Sequence, residues 1–244
     1  MSIRNEKGDT MKLGIIGAMT LEVEALQYKL LDMKVTKRAG RTFCEGVLQG
    51  LPVVVVVCGV GKVNAALCVQ LLRDLFDVTH ILNTGIAGSL EASLDIGDIV
   101  VSTDAMYHDF DCGAMNYTIG QVPKLEVLAF PADGKLIEAA KAACDAVYPG
   151  HSRTGRVASG DQFVCRKEQK EAIIQNTGAI CTEMEGAAIA HAAYLNGLPF
   201  VILRAISDKA DESVGMDYPT FEREAALRSA AVTETLAAKL AQEK

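Results

Sequence analysis

The chain has 244 residues, half of them apolar, enough for one large α/β domain or two small ones. Its net charge of −7 disfavours nucleic acid or an anionic membrane as partner and suits a neutral or cationic small ligand; no apolar run nears the roughly 20 residues of a membrane helix. The seven cysteines (44, 58, 68, 112, 144, 165 and 181) are odd in number, scattered and without a CxxC pair, so a disulfide frame or zinc site is excluded in favour of reduced thiols in a cytoplasmic protein.

Residues 1–10 are polar and lack an apolar signal core, so they read as a disordered lead-in to a domain over 11–244. Met11 to Gly17 is a short apolar run closed by glycine, the pattern of a buried strand. Thr20 is the expected N-cap of a helix whose apolar face runs on through Leu26, Leu30 and Leu31. Arg41 to Leu48 and Leu51 to Cys58 form a predicted hairpin about Gln49-Gly50-Leu51-Pro52, and the five valines at 53–57 mark a strand buried on both faces. Gly59-Val60-Gly61 opens a helix from Lys62 to about Phe76. Thr79 to Asn83 is a strand ending in a glycine turn, Thr84 to Gly88, and Ile99 to Met106 is another strand.

From His108 to Pro131 no period holds, and the stretch is too long for an idle connection. Asp133 then caps a helix to about Tyr148. A strand over Arg153 to Ser159, a helix over Arg166 to Gln175 and a strand over Ala179 to Glu183 follow. The next helix stops at Asn196-Gly197, a C-cap signal. Phe200 to Ile206 is an apolar strand closed by Ser207-Asp208, and a polar loop through Pro219 leads to a last helix over about Phe221 to Leu240. This alternation predicts one α/β domain with a central mixed, mostly parallel, twisted sheet flanked by helices. Ligands of such sheets bind beyond the carboxyl ends of the strands. Those ends carry Gly17-Ala18-Met19, Gly59-Val60-Gly61, Thr84 to Gly88, Ser159-Gly160-Asp161, Glu183-Met184-Glu185 and Ser207-Asp208.

Several signatures fail on their own terms. Lys12 breaks the dinucleotide pattern that Gly14 and Gly17 suggest. Val56 and Val63 stand where a P-loop before Gly61-Lys62 needs glycine and a hydroxyl. No G-x-S-x-G elbow occurs, and the histidines (80, 108, 151 and 191) show no metal-ligand spacing. Glu183 and Glu185 flank a strand-to-helix junction. An acid in a first helical turn faces the helix dipole and unpaired N–H groups and stays ionised. Such a pair reads either as plain helix-start acids or as ligands for a cation or a row of hydroxyls. Thr84 to Gly88 reads either as a tight turn or as backbone that approaches a ligand.

The fragments GIIGAM..E, GVGKVNAA, NTG.AG, GDIVVS, YHD, SGD.F, EMEG.A and RAISD, in this order and approximate spacing, resemble the 5′-methylthioadenosine/S-adenosylhomocysteine nucleosidases of the nucleoside phosphorylase superfamily. The resemblance implies a homodimer that hydrolyses the N-glycosidic bond of adenine thionucleosides without metal or cofactor. It implies that Asp208 protonates purine N7, that Glu22 activates water and that Arg204 helps to hold both. Glu185 would accept from the ribose hydroxyls, with Met184 against the sugar. Phe163 would stack on adenine, the Val164 backbone would read the purine edge, and Gly88, Ser207 and Met19 would contact substrate. Tyr218 would line the 5′-thioalkyl pocket, with Met115 and Pro123 supplied by the partner subunit. Ile86 stands where the family often has Ser, so a hydroxyl is lost there. The rival is a phosphate-dependent phosphorylase, which needs cationic ligands for the phosphate. The NTG strand offers no Arg, and Glu22 would repel the anion. A non-catalytic adenosine-binding protein on this scaffold would be expected to lack Glu22 or Asp208, and both are present.

Overall fold

The computed structural model describes residues 11–242; the lead-in expected over 1–10 lies outside them. The elements run β1 (Leu13–Gly17), α1 (Thr20–Gln27), β2 (Leu31–Arg38), β3 (Arg41–Leu48), β4 (Leu51–Val57), α2 (Lys62–Phe76), β5 (His80–Ser89), β6 (Ile99–Tyr107), β7 (Phe130–Pro131), α3 (Gly134–Val147), β8 (Ser152–Ser159), α4 (Lys167–Thr177), β9 (Cys181–Glu183), α5 (Gly186–Asn196), β10 (Phe200–Asp208) and α6 (Val214–Leu240). The sheet is mixed. β1 pairs in parallel with β4 and β5, and β5 with β10, while β2, β3 and β4 form an antiparallel edge. β6, β8 and β9 run parallel to one another and close the sheet on itself, through β10 on one side and β5 on the other, both antiparallel.

The valines of β4 show why two layers of helix form. Val54 and Val56 enter a core with α2 and α5, and Val53 and Val55 one with α1, α3 and α6. Side chains two residues apart share a face, so an unbroken valine run is stable only where both faces are covered. Asp133 caps α3 by accepting from the Lys135 and Leu136 amides, each at 3.0 Å. Gly197 ends α5 at φ 64°, a left-handed conformation that glycine adopts without a Cβ clash.

Four expectations change. The helix after β1 ends at Gln27, and Leu31 opens β2, whose alternating Leu31, Met33 and Val35 are exposed. The period there is that of a strand, and no helix covers it. The N-cap of α1 is Met19, with Thr20 the first helical residue. The last helix begins at Val214, with Pro219 inside it in the second turn, where proline removes one backbone bond without ending the helix. Most consequential, Thr84 to Gly88 is not a turn but the second half of β5, because β10 pairs alongside it from Ile81 to Ala87 and, past a register shift at Ser207, at Gly88. The stretch 108–131 contains a short 3-10 turn, Gly113–Met115, and ends in β7 against β6. All seven cysteines are unpaired, and five of them (44, 58, 68, 144 and 181) are buried.

Candidate active site

The glycines of β5 make room rather than bend the chain. A Cβ on Gly85 would lie 2.3 Å from Arg204 Nη1 and 2.4 Å from Glu22 Oε1. One on Gly88 would lie 2.8 Å from Asp208 Oδ1. Three ionisable side chains therefore reach across β5 only because two of its residues have no side chain. β9 enters antiparallel to this half of β5, with Thr182 opposite Gly88, so Glu183 at its end falls beside the same stretch. The polar groups converge on the flank of β5 rather than beyond one rim of parallel strands.

They line a cleft of about 580 Å³, open to solvent on one side. All eleven residues expected from a single chain are there: Met19, Glu22, Gly88, Phe163, Val164, Met184, Glu185, Arg204, Ser207, Asp208 and Tyr218. Met115 and Pro123 do not line it; Met115 is exposed in the 3-10 turn. Ala18, Val60, Ile86, Ala87, Gln162, Thr182 and Glu183 complete the walls.

Glu22 sits in the first turn of α1 and is buried. Its Oε2 accepts from the Ala18 amide at 2.6 Å and the Met19 amide at 2.9 Å; its Oε1 accepts from the Ile86 amide at 3.1 Å. Burial raises its pKa, while Arg204 and these three donors pull the other way. A buried carboxyl whose pKa is raised yet whose ionised form is hydrogen-bonded is suited to take a proton from water.

Arg204 lies in the middle of β10 and is fully buried. Its Nη2 donates to Asn83 Oδ1 at 2.6 Å, to Glu183, and to Glu185 Oε2 at 3.5 Å. Its Nη1 donates to the Ile86 carbonyl at 3.3 Å and stands 3.8 Å from Glu22. Glu183, not Glu22, is thus its nearest carboxylate. The junction of β9 and α5 also gives the two members of the acid pair different partners. Glu183 accepts from the Glu185 amide at 3.0 Å and the Gly186 amide at 2.8 Å, and from the Ser159 hydroxyl, so it is the acid held by the N-terminus of α5. Glu185 turns away and accepts from the Gly61 amide at 2.9 Å. Burial and the neighbouring Glu183 raise its pKa to about 7, against the pull of Arg204 and Gly61. Asn83 and Ser159, without a role on sequence grounds, hold this network; the available signal was Asn83, a polar residue directly after the apolar Ile81-Leu82 of β5.

Asp208 ends β10. It accepts from the Ser207 hydroxyl and the Ala210 amide, both at 2.8 Å, and burial raises its pKa, with Asp217 and Asp211 adding to the effect. Phe163, half exposed at the mouth, meets Tyr218 edge-to-face at 5.4 Å, and the Tyr218 hydroxyl points to Met19 Sδ at 3.7 Å. One end of the cleft is thus aromatic and thioether, the other charged. Arg204 is the one Lys or Arg among the lining residues, against Glu22, Glu183, Glu185 and Asp208. Among the described residues no group of three or more His, Cys, Asp or Glu is placed to hold a metal ion.

The family model for the phosphorylase superfamily matches residues 12–238, and the chain belongs to that superfamily. Within it, the chain is 40% identical to a 5′-methylthioadenosine/S-adenosylhomocysteine nucleosidase of Staphylococcus saprophyticus, over 92% of this chain and 98% of that protein. The structure of such a nucleosidase from Colwellia psychrerythraea, in complex with adenine, superposes with a TM-score of 0.91 at 40% identity and covers 95% of this chain and 96% of that one. That from Neisseria meningitidis, in complex with methylthio-immucillin-A, gives 0.90 at 36% identity, with 93% and 98% covered.

Proposed function

We infer that this chain hydrolyses the N-glycosidic bond of 5′-methylthioadenosine and S-adenosylhomocysteine, releasing adenine and the 5-thioribose product. The observation that carries the reading is the acidic lining of the cleft: among its described residues, four acidic side chains and a single guanidinium that is already paired with three of them, Glu22, Glu183 and Glu185. Such a site suits a ribose that becomes cationic as the bond to the base breaks. It is a poor site for phosphate, which needs free cationic donors, and this disfavours the phosphorylase reading.

In this mechanism Asp208, whose pKa burial raises, gives a proton to N7 of the purine, so the base leaves neutral. Glu22 orients and deprotonates the attacking water, and Arg204 keeps Glu22 from drifting. Glu185 accepts from the ribose hydroxyls and stabilises the oxocarbenium character, with Met184 beneath the sugar. Phe163 stacks on the base and the Val164 backbone reads its edge. Gly88 and Ser207 lie against the substrate, and Met19 and Tyr218 take the thioalkyl group. Ile86 contributes its backbone alone. The mechanism calls on no metal or cofactor.

Residues 11–244 act as one catalytic domain in a cytoplasmic homodimer that binds neither nucleic acid nor membrane. The family match over residues 12–238 supports the single domain, and no described helix is long and apolar enough to cross a membrane. An exposed apolar stripe, Val60, Val63 and Leu67, that begins at the cleft supports the homodimer. A partner docked there brings Met115 and Pro123 to the thioalkyl end. The test is incubation with methylthioadenosine in phosphate-free buffer and again with added phosphate. Free adenine and methylthioribose at equal rates in both are expected. Strict phosphate dependence with a sugar-1-phosphate product overturns the reading.

A further inference from the structure

Three of the sequence fragments, YHD, GVGK and SGD, supply no reacting group, yet their polar residues meet. Asp109 follows β6, Lys62 opens α2 and Asp161 follows β8. Both oxygens of Asp109 accept from Lys62 Nζ at 2.7 Å, and Oδ2 also accepts from the Asp161 amide at 2.8 Å. Asp161 Oδ1 accepts in turn from the Lys62 amide at 2.9 Å. Two of its corners are largely shielded, with the Asp109 side chain 12% exposed and that of Lys62 23%, while Asp161 is 51% exposed. Lys62 Nζ also lies 5.4 Å from the centre of the Tyr107 ring, a cation–π distance. The segment at Gly160 passes so close that a Cβ there would lie 2.4 Å from the His108 ring and 2.9 Å from Asp109 Cγ.

Each free arm of the triangle ends in the cleft. Asp161 is followed by Gln162, Phe163 and Val164, all in its wall. Lys62 is preceded by Gly61, whose amide donates to Glu185 and whose φ of +98° belongs to glycine. We propose that Asp109 is a positioning residue that locks the base-binding segment and the ribose carboxylate into one register through Lys62 and Asp161. It rests on the assignment of Phe163, Val164 and Glu185 to the substrate. With Asp109 present, a purine seated on Phe163 finds Glu185 already aimed by Gly61. With Asp109 removed, Lys62 Nζ keeps the Tyr107 ring and Asp161 at 3.8 Å, and the bond from the Lys62 amide to Asp161 is left to join the two walls, so their register loosens. Near-attack geometry is sensitive to shifts of this size, since about 1 Å of misplacement can lower a rate about a hundredfold.

The experiment compares Asp109→Ala, Glu185→Gln and the double variant, with adenine as competitive inhibitor and methylthioadenosine as substrate. Lys62→Met cuts the same link from the other side and serves if Asp109→Ala does not fold; thermal melting of each variant reports folding. Asp109→Ala is expected to weaken adenine inhibition about fivefold and to lower kcat/KM about tenfold. In the Glu185→Gln background its effect on kcat/KM is expected to shrink at least about threefold, because one of its two routes is already gone. An unchanged adenine inhibition constant, or strictly additive effects, overturns the proposal. Wild-type kinetics in Glu185→Gln alone would instead overturn the assignment of Glu185 to the substrate.

Discussion

Gly85→Ala is a one-methyl change inside β5 that replaces none of the groups assigned to the chemistry. In an ordinary strand it would be neutral or better, since glycine costs about 0.5–1 kcal/mol there relative to alanine. Here the new methyl meets Arg204 Nη1 at 2.3 Å and Glu22 Oε1 at 2.4 Å, where van der Waals contact needs about 3.4 Å. Each must retreat by about 1 Å, and neither is free to. Arg204 is tied to Asn83, Glu183 and the Ile86 carbonyl, and Glu22 to three amides. Overpacking of this kind costs about 1–3 kcal/mol of stability, and hydrogen bonds to a charged group about 1.5–3 kcal/mol each. A total loss of about 2–4 kcal/mol is expected, so the variant folds with a lower melting temperature. Because Glu22 has moved relative to the reacting carbon, kcat with methylthioadenosine is expected to fall by about 10². The assay is adenine release under saturating substrate, with melting followed in parallel. A folded Gly85→Ala protein within threefold of the parent kcat refutes the argument that β5 lacks a side chain there to admit Glu22 and Arg204.

Asp208→Asn and Glu22→Gln each keep the shape of the site and remove one proton transfer, so each is expected to lower kcat by at least about 10². Near-parental turnover in either would refute its role. If Glu185 works as a carboxylate, kcat/KM falls as pH drops below about 7, where burial and Glu183 leave it half protonated. Glu185→Gln should abolish that limb along with most of the activity, and a profile flat from pH 6 to 8 in the parent counts against it. The same group sets a trend in stability. The folded state holds the Glu185 proton up to about pH 7, the unfolded state releases it near 4.5, so stability falls as pH rises between the two, by roughly 3 kcal/mol at most. Urea titrations at pH 5 and pH 7 should show this fall, and Glu185→Gln should flatten it. Phe163→Ala is expected to raise KM and weaken adenine binding with little change in melting temperature, since the ring is half exposed; an unaltered KM removes it from the base site.

Local patterns determined much of this protein. The apolar runs and their glycine ends marked most of the strands of the sheet, the valine run announced a strand covered on both faces, and Asp133 and Gly197 bounded their helices where the side-chain chemistry requires. The resemblance to the nucleosidases, rather than the apolar pattern, named the side chains that line the cleft. What neither could determine is which partner each group would take. Glu183 and Glu185 are two residues apart with the same chemistry. Only the angle at which β9 meets α5, and the approach of Gly61 from a loop more than a hundred residues earlier, makes one the helix-bound counter-ion of Arg204 and leaves the other with a raised pKa. Thr84 to Gly88 has the composition of a turn. It stays extended because β10 pairs along it, and its glycines are filled by side chains arriving from α1 and β10. Backbone preference is local, whereas the space a missing Cβ leaves is claimed by whatever the fold brings there, and that is decided in three dimensions.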